Sequence, residues 1–266
     1  MLDFLIIIVL YNKKIFELDL IINKKFLFFI YDNSLTSQEY PNNIIYIHDP
    51  KNSGVSKAYN EGIKLAKELG KKYVLFLDQD TKFTLDMIEK YEKLTEIYGE
   101  DYIYTSVIGK ENKIYSPFLE KNFRGRPQNK SEFKYLEVYD LDEKSIINSG
   151  MLVPLKIIDK IGTFNEKIKL DFSDMFFIDK YKKYKKEIIL VDNFVEHSIS
   201  GDEGKDKKRE LNRFKFYCNG AIELYKNNSK RIVYTVFLRM GKLCLKYKSL
   251  YPLYVYIYYF WGEKKI

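Results

Sequence analysis

Cysteine, histidine, tryptophan, proline and glycine are all scarce in this 266-residue chain. It has 2 Cys, 2 His, 1 Trp, 6 Pro and 13 Gly. The cysteines, Cys218 and Cys244, have no CxxC spacing, so neither a zinc knuckle nor a disulfide framework is expected, and a reduced cytoplasmic setting fits. So little Pro and Gly argues against a long disordered region. No apolar run is long enough to span a bilayer. Leu5 to Leu10 is too short and has no basic region before it, so neither a signal peptide nor a membrane span is expected.

What is present is bulk and positive charge. Hydrophobic residues make up 46% of the chain and aromatics 17%, with 24 Tyr and 19 Phe, enough for a sizeable core. The net charge of +8 points to anionic partners. Lys greatly outnumbers Arg, which speaks against sequence-specific DNA readout, where bidentate Arg is favoured.

The first hundred residues alternate strand and helix. Phe4–Leu10, Phe26–Tyr31, Ile44–Ile47 and Tyr73–Leu77 are short buried-strand runs. Val55–Leu69 places Val55, Tyr59, Ile63, Ala66 and Leu69 on one helical face, with Gly70 as its stop. Leu85–Tyr98 reads as a second helix. This order predicts an α/β fold with a mainly parallel sheet and helices on both faces. Ser116–Lys130, with Pro117, Gly125 and Pro127, reads as loop. Ser145–Val153 reads as a strand interrupted at Ser149–Gly150. Pro154 then starts a short helix ending near Gly162, Ser173 caps another through Lys183, and Glu187–Val191 is a further strand. Gly201–Arg213 is charged and flexible in tone, and helix resumes from about Leu211. The expected division is a main domain over 1–225 and a basic, aromatic helical segment over 226–266.

Four constellations carry chemistry. Asp78 and Asp80 sit just beyond a strand end, where open parallel sheets bind ligands. Two carboxylates one residue apart suit a divalent cation that also contacts phosphate. The bland use of the same pair is a solvated turn or a cap for the helix starting near Thr84. Asn52-Ser53-Gly54 before the Val55 helix suits phosphate approach, or a simple turn. Asp171 and Asp174 at a helix start are carboxylates that could accept a proton, or plain N-terminal capping residues. His197 follows a short strand and has the chemistry of a metal or phosphate ligand, or of an ordinary surface His.

In order along the chain, Ile6–Asn12, Phe29–Ser34, Asn52–Gly62, YVLFLDQDT at 73–81, Asn148–Gly150, Ile161–Glu166, Asp171–Asp174 and His197 resemble family 2 glycosyltransferases, most closely the rhamnosyltransferase-like branch. The resemblance covers roughly residues 4–220. It implies a GT-A type, Rossmann-like nucleotide-binding domain with a mixed, mainly parallel sheet. It also implies inverting, Mn²⁺- or Mg²⁺-dependent sugar transfer from a dTDP- or UDP-sugar to a glycan or lipid-linked glycan acceptor in bacterial surface polysaccharide synthesis, with rhamnose as a candidate donor sugar. By resemblance, Asp174 is the catalytic base, with Asp171 beside it. Tyr11, Asp32, Asn52, Gly54 and Asp78 are implied on the donor nucleotide, and Asp80, Asp78 and His197 at the metal. The chain departs from the family pattern at Phe176, where an acid is common, at Lys180, where Arg is usual, and at Cys218, where the Arg of an Arg-Asn pair is expected.

Arg231–Trp261 mixes Tyr and aliphatics with Lys and Arg. An interfacial helix on the inner membrane face is one expectation; packing on the domain, or a homodimer contact, is the other. Two rival functions are a non-catalytic partner subunit of the same fold and a basic nucleic-acid-binding protein. The latter leaves the strand-end aspartates unused and facing phosphates that would repel them; nucleic acid is therefore not the expected partner.

Overall fold

The computed structural model describes residues 3–18, 20, 25–121, 123–196, 207–226 and 231–262. Strands β1 (Phe4–Leu10), β2 (Phe28–Asp32), β3 (Ile44–His48) and β4 (Tyr73–Asp78) pair in parallel in the order β3-β2-β1-β4. β1, β2 and β4 are buried almost throughout, which explains their uninterrupted apolar sequence. The sheet continues through β10 (Met151–Pro154), antiparallel to both β4 and β5 (Tyr104–Lys110), then through β11 (Glu187–Glu196), parallel to β5, and ends on β8 (Val138–Asp140). The fold is therefore the expected mixed, mainly parallel α/β sheet.

Alternation along the strands separates two cores. Ile6, Ile8, Phe28, Ile30, Leu75 and Leu77 pack with Ile88 and Tyr91 of α2 (Leu85–Tyr98). Leu5, Ile7, Phe29, Val74 and Phe76 face the opposite way. They meet α1 (Val55–Glu68), α3 (Leu155–Ile161) and α4 (Ser173–Tyr184) through Tyr59, Ile63, Ile157, Phe177 and Tyr181. A third core joins α5 (Lys207–Lys226), α6 (Arg231–Tyr247) and α7 (Tyr251–Phe260), and it includes Phe118, Ile168, Phe172 and Met175 of the sheet domain. The C-terminal helices thus pack on the domain and on one another.

The structure corrects several expectations. The stretch read as loop holds two strands, β6 (Lys113–Lys121) and β7 (Arg124–Asn129), with the short β9 (Lys144–Ser145) beside β6. Among the described residues β7 pairs only with β6, so Pro127 sits in an edge strand, where its missing N–H is tolerated. The strand expected over Ser145–Val153 is split into β9 and β10. β11 runs on to Glu196, past a register shift between Val191 and Phe194. Helix is already present at Lys207, within the stretch read as flexible. Ser173 does not cap α4. Phe172 holds the cap position in the left-handed region, at φ 73°, while the Ser173 hydroxyl lies 2.9 Å from that of Ser56.

Candidate active site

The strand ends meet at one edge of the sheet. β1 and β4 finish there, and antiparallel β10 begins there, with Met151 opposite Phe76. A cleft of about 1500 Å³ opens above this edge. Tyr11, Asn52, Gly54, Asp78, Asp80, Asp171 and Asp174 all line it, and α5, α6 and β7 close its other side.

The acidic turn after β4 is tied in place from two sides. The Gln79 side chain accepts from the Tyr11 N–H at 2.8 Å and donates to the Tyr11 carbonyl at 3.2 Å, which links the ends of β1 and β4. The Lys13 ammonium donates to the Gln79 carbonyl. From the other side, the Ser149 hydroxyl accepts from the Asp78 N–H at 3.0 Å and meets the Thr81 hydroxyl at 3.0 Å. Burial, with the adjoining Asp80 charge, pushes the Asp78 carboxyl up to about 7; the Tyr59 hydroxyl, 3.5 Å away, opposes the shift. A charge held at such cost is relieved by a cation. Mg²⁺ and Mn²⁺ accept one or two carboxylates and complete their shell with phosphate and water oxygens, so Asp78 and Asp80 fit a divalent ion. Among the described residues no cluster of three metal-ligating side chains exists. His197 lies outside the described residues.

Asp171 and Asp174 are presented by a strained loop. Phe172 between them adopts positive φ and is buried, its ring 4.6 Å from that of Tyr217. A bulky residue in this region is costly and persists only where the surroundings impose it. Two glycines supply part of that constraint. Gly54, at φ 99°, brings the start of α1 so close to Lys169 that a Cβ would lie 2.4 Å from its carbonyl oxygen. The Val55 N–H donates to that same carbonyl at 2.8 Å. Gly220 of α5 lets the helix approach the Asp171 carbonyl, where a Cβ would sit at 2.3 Å. Arg213 of α5 pairs with Asp171 at 3.4 Å. Asp174 accepts from the Met175 N–H at 2.7 Å, yet burial pushes its carboxyl up to about 7, helped by the charges of Asp171 and Asp78. Asp174 and Asp78 line the same cleft.

Asp32 stands behind the cleft. It is fully buried and does not line the cleft. Its carboxylate accepts from the Ser34 N–H at 2.9 Å, the Gln38 amide at 2.8 Å and the Tyr46 hydroxyl at 2.9 Å, and these donors hold it in the carboxylate form against the cost of burial. It organises the loop after β2, and Ser34 in turn accepts from the Asn12 N–H at the cleft rim. Lys180 and Cys218, both family departures, have structural placements. Lys180 donates to the Gly162 and Thr163 carbonyls after α3. Cys218 is buried in the third core, which pushes its thiol up to about 12.

One residue that sequence reasoning gave no role is Asn148. It lines the cleft, is 9% exposed, and its Oδ1 is buried without a partner. The neighbouring Ser149–Gly150 turn fixes it: Gly150, at φ 75°, donates to the Phe76 carbonyl at 2.8 Å. The Asn-Ser-Gly motif was the available signal, but nothing in sequence indicates an orphaned acceptor.

Comparison with known proteins shows what this arrangement is similar to. Residues 33–162 match the family model "Glycosyl transferase family 2". The Asp171–Asp174 loop lies beyond that match. A dTDP-rhamnosyl transferase, RfbF, of Shigella flexneri is 23% identical over 125 residues, which cover 47% of this chain and 41% of that protein. Two solved structures share the fold. GalNAc-T7, solved with UDP, GalNAc and Mn²⁺, superposes with a TM-score of 0.57 at 13% identity, over 82% of this chain and 50% of that one. S. aureus TarS 1-349 does so at 0.53 and 19% identity, over 83% and 64%. The chain thus spans less than two thirds of the length of each of these relatives. Residues 33–162 thus match the glycosyl transferase family 2 model, and the chain shares the fold of these two solved structures.

Proposed function

We propose that the protein transfers a sugar from a nucleoside diphosphate donor to an acceptor hydroxyl, with inversion at the anomeric carbon. The observation that carries this is the convergence of Asp78, Asp80, Asp171 and Asp174 on one cleft at the sheet edge where β1 and β4 end. Tyr11, Asn52 and Gly54 line the same cleft and suit the nucleotide and its phosphates. Asp80 and Asp78, with His197 a further candidate, would hold Mn²⁺ or Mg²⁺, which neutralises charge on a departing diphosphate. Asp32 supports the nucleotide side by holding the loop that meets Asn12.

Asp174 is the base. Its carboxylate takes the acceptor hydroxyl's proton as that oxygen bonds to the anomeric carbon and the carbon–diphosphate bond breaks. A carboxyl brought near neutrality suits this proton transfer, because a large fraction is ionised at neutral pH while the group stays basic enough to accept the proton. Arg213 fixes Asp171 beside it. The Shigella relative's name makes dTDP-rhamnose the first donor to assay, with UDP-sugars next; a surface polysaccharide glycan is the first acceptor class to try. Transfer or donor hydrolysis should fall about 10²–10⁴-fold in Asp174→Asn with the fold intact; undiminished turnover would refute the assignment.

A peripheral membrane position fits the same reading. Tyr254, Ile257, Tyr258 and Trp261 recur at helical spacing, 65%, 48%, 48% and 69% exposed. Aromatic side chains with adjacent cations suit the headgroup zone. No helix among the described residues is long and apolar enough to cross a membrane. Flotation with anionic but not neutral vesicles supports this placement. A concentration-dependent dimer with no flotation assigns the face to a second copy.

A further inference from the structure

The cleft carries two kinds of charge, on different elements. The carboxylates of Asp78, Asp80, Asp171 and Asp174 belong to the sheet edge and the α4 loop. Facing them are Arg124 and Arg126 of β7 and Arg239 and Lys242 of α6. Glycan hydroxyls do not require such a cationic wall, and the acidic turn already suits a cation that would offset the donor's diphosphate. We propose that this wall is a subsite for phosphate groups carried by the acceptor, either the diphosphate of a lipid-linked glycan or the phosphodiesters of a phosphate-containing polymer.

Three observations support the assignment. First, these cations are not tied up in salt bridges among the described residues. Arg124, Arg126, Arg239 and Lys242 form no salt bridge to a described residue, whereas Arg213 is paired with Asp171. From Arg231 to Gly262 the sequence contains Arg231, Arg239, Lys242, Lys246 and Lys248 but no Asp or Glu, so α6 brings no neutralising partner of its own. Like charges gathered in a cleft raise its potential and attract a counter-ion. Second, the guanidiniums are positioned by aromatic faces. Arg239 lies 4.0 Å from the centre of the Tyr217 ring, and Arg124 lies 6.0 Å from that of Tyr234. A guanidinium set against an aromatic face keeps its planar fork available, and that fork suits bidentate phosphate binding. Third, β7 and α6 converge. The charges of both Arg239 and Arg124 reach the Tyr217 hydroxyl, where they oppose the rise that burial causes. Tyr217 itself lies in ring contact with Phe172, between the two catalytic-loop aspartates. A phosphate held on this wall therefore places the attached sugar near the base.

Assigning the phosphate to the acceptor rests on the glycosyltransferase reading, but the binding test does not. The probes are farnesyl diphosphate and a glycerol phosphate oligomer, titrated into the full chain in EDTA, and dTDP or UDP titrated with Mn²⁺. The variants are Arg239→Glu/Lys242→Glu and, as a milder change, Arg124→Gln/Arg239→Gln, each checked for an unchanged melting temperature. Wild type should bind at least one phosphate probe, more weakly as salt rises. The variants should weaken that binding tenfold or more while nucleotide affinity with Mn²⁺ stays within about twofold. Loss with farnesyl diphosphate alone identifies a lipid diphosphate, and loss with the oligomer alone identifies a phosphodiester polymer. The proposal is overturned if neither probe binds, if the variants bind the probes as wild type does, if the loss falls on the nucleotide instead, or if a single-stranded oligonucleotide competes as well as the probes. Failure of nucleotide binding in wild type would sink the donor reading and leave the phosphate result standing by itself.

Discussion

Asp174 and Asp78 show what a single residue carries here. Both are carboxylates that burial and neighbouring charge push up to about 7. In the folded chain they hold protons that the unfolded chain has already released above about pH 4. Their contribution to stability is therefore full below the unfolded value and lost as pH rises through about 7. Without added metal, the melting temperature should fall between pH 5 and pH 8, and Asp174→Asn should flatten that slope; an unchanged slope in the variant would show that Asp174 is not the group responsible. Turnover should run the opposite way, because the proposed base must be ionised. The rate should climb with pH along an acidic limb that Asp174→Asn removes. Asn148 belongs at this scale too. Its buried Oδ1 lacks a donor, and a substrate hydroxyl at the cleft would supply one. Asn148→Ala should lower turnover about tenfold or more with little loss of stability, since the alanine also removes the unsatisfied group. A stability loss with normal kinetics would assign Asn148 to packing instead.

The elements that position these residues were legible where they are continuous. β1, β2 and β4 are uninterrupted apolar runs, α1 has clean helical spacing, and the acidic turn follows a strand. Nothing local in the sequence distinguishes β6 and β7. Their hydrogen bonds come from each other and from β5 and β9, and Pro117, Gly125 and Pro127 imitate loop chemistry. The left-handed Phe172 was equally hidden, because it is imposed by contacts with Tyr217 and the approach of Gly220 rather than by a residue that prefers that conformation. Asp32 shows the limit of motif reading: the motif located the residue, but only the fold reveals three donors already on its carboxylate. The element-scale prediction concerns the two close approaches. Gly54→Ala and Gly220→Ala each place a methyl against backbone carbonyl oxygen and should destabilise by about 1–3 kcal/mol. Both should also depress turnover by moving the loop that carries Asp171 and Asp174. Chemical denaturation reads the first effect. Wild-type stability in either variant would show that the contact relaxes freely.

At the scale of the whole molecule, the cleft joins charges of both signs from separate parts of the chain. Within the cleft, Asp78, Asp80, Asp171 and Asp174 come from the sheet edge and the α4 loop, while α6 and β7 contribute cations; α7 and the turn after it expose Tyr254, Ile257, Tyr258 and Trp261. Composition announced the net charge of +8 but could not say that much of it faces the cleft. The C-terminal helices share a core with the Asp171–Asp174 loop through Phe172 and Met175 and close one side of the cleft. This arrangement has an overall consequence: a divalent ion and a nucleoside diphosphate should bind as a pair, each raising affinity for the other.

Thermal denaturation of wild type and Asp80→Ala with dTDP and UDP, in the presence and absence of Mn²⁺, tests that pairing most directly. Wild type should show a rise in melting temperature with nucleotide and metal together that exceeds the sum of the two alone, and Asp80→Ala should lose the excess. A nucleotide-induced rise of the same size without metal, or an undiminished excess in Asp80→Ala, would contradict a diphosphate site built on the acidic strand end.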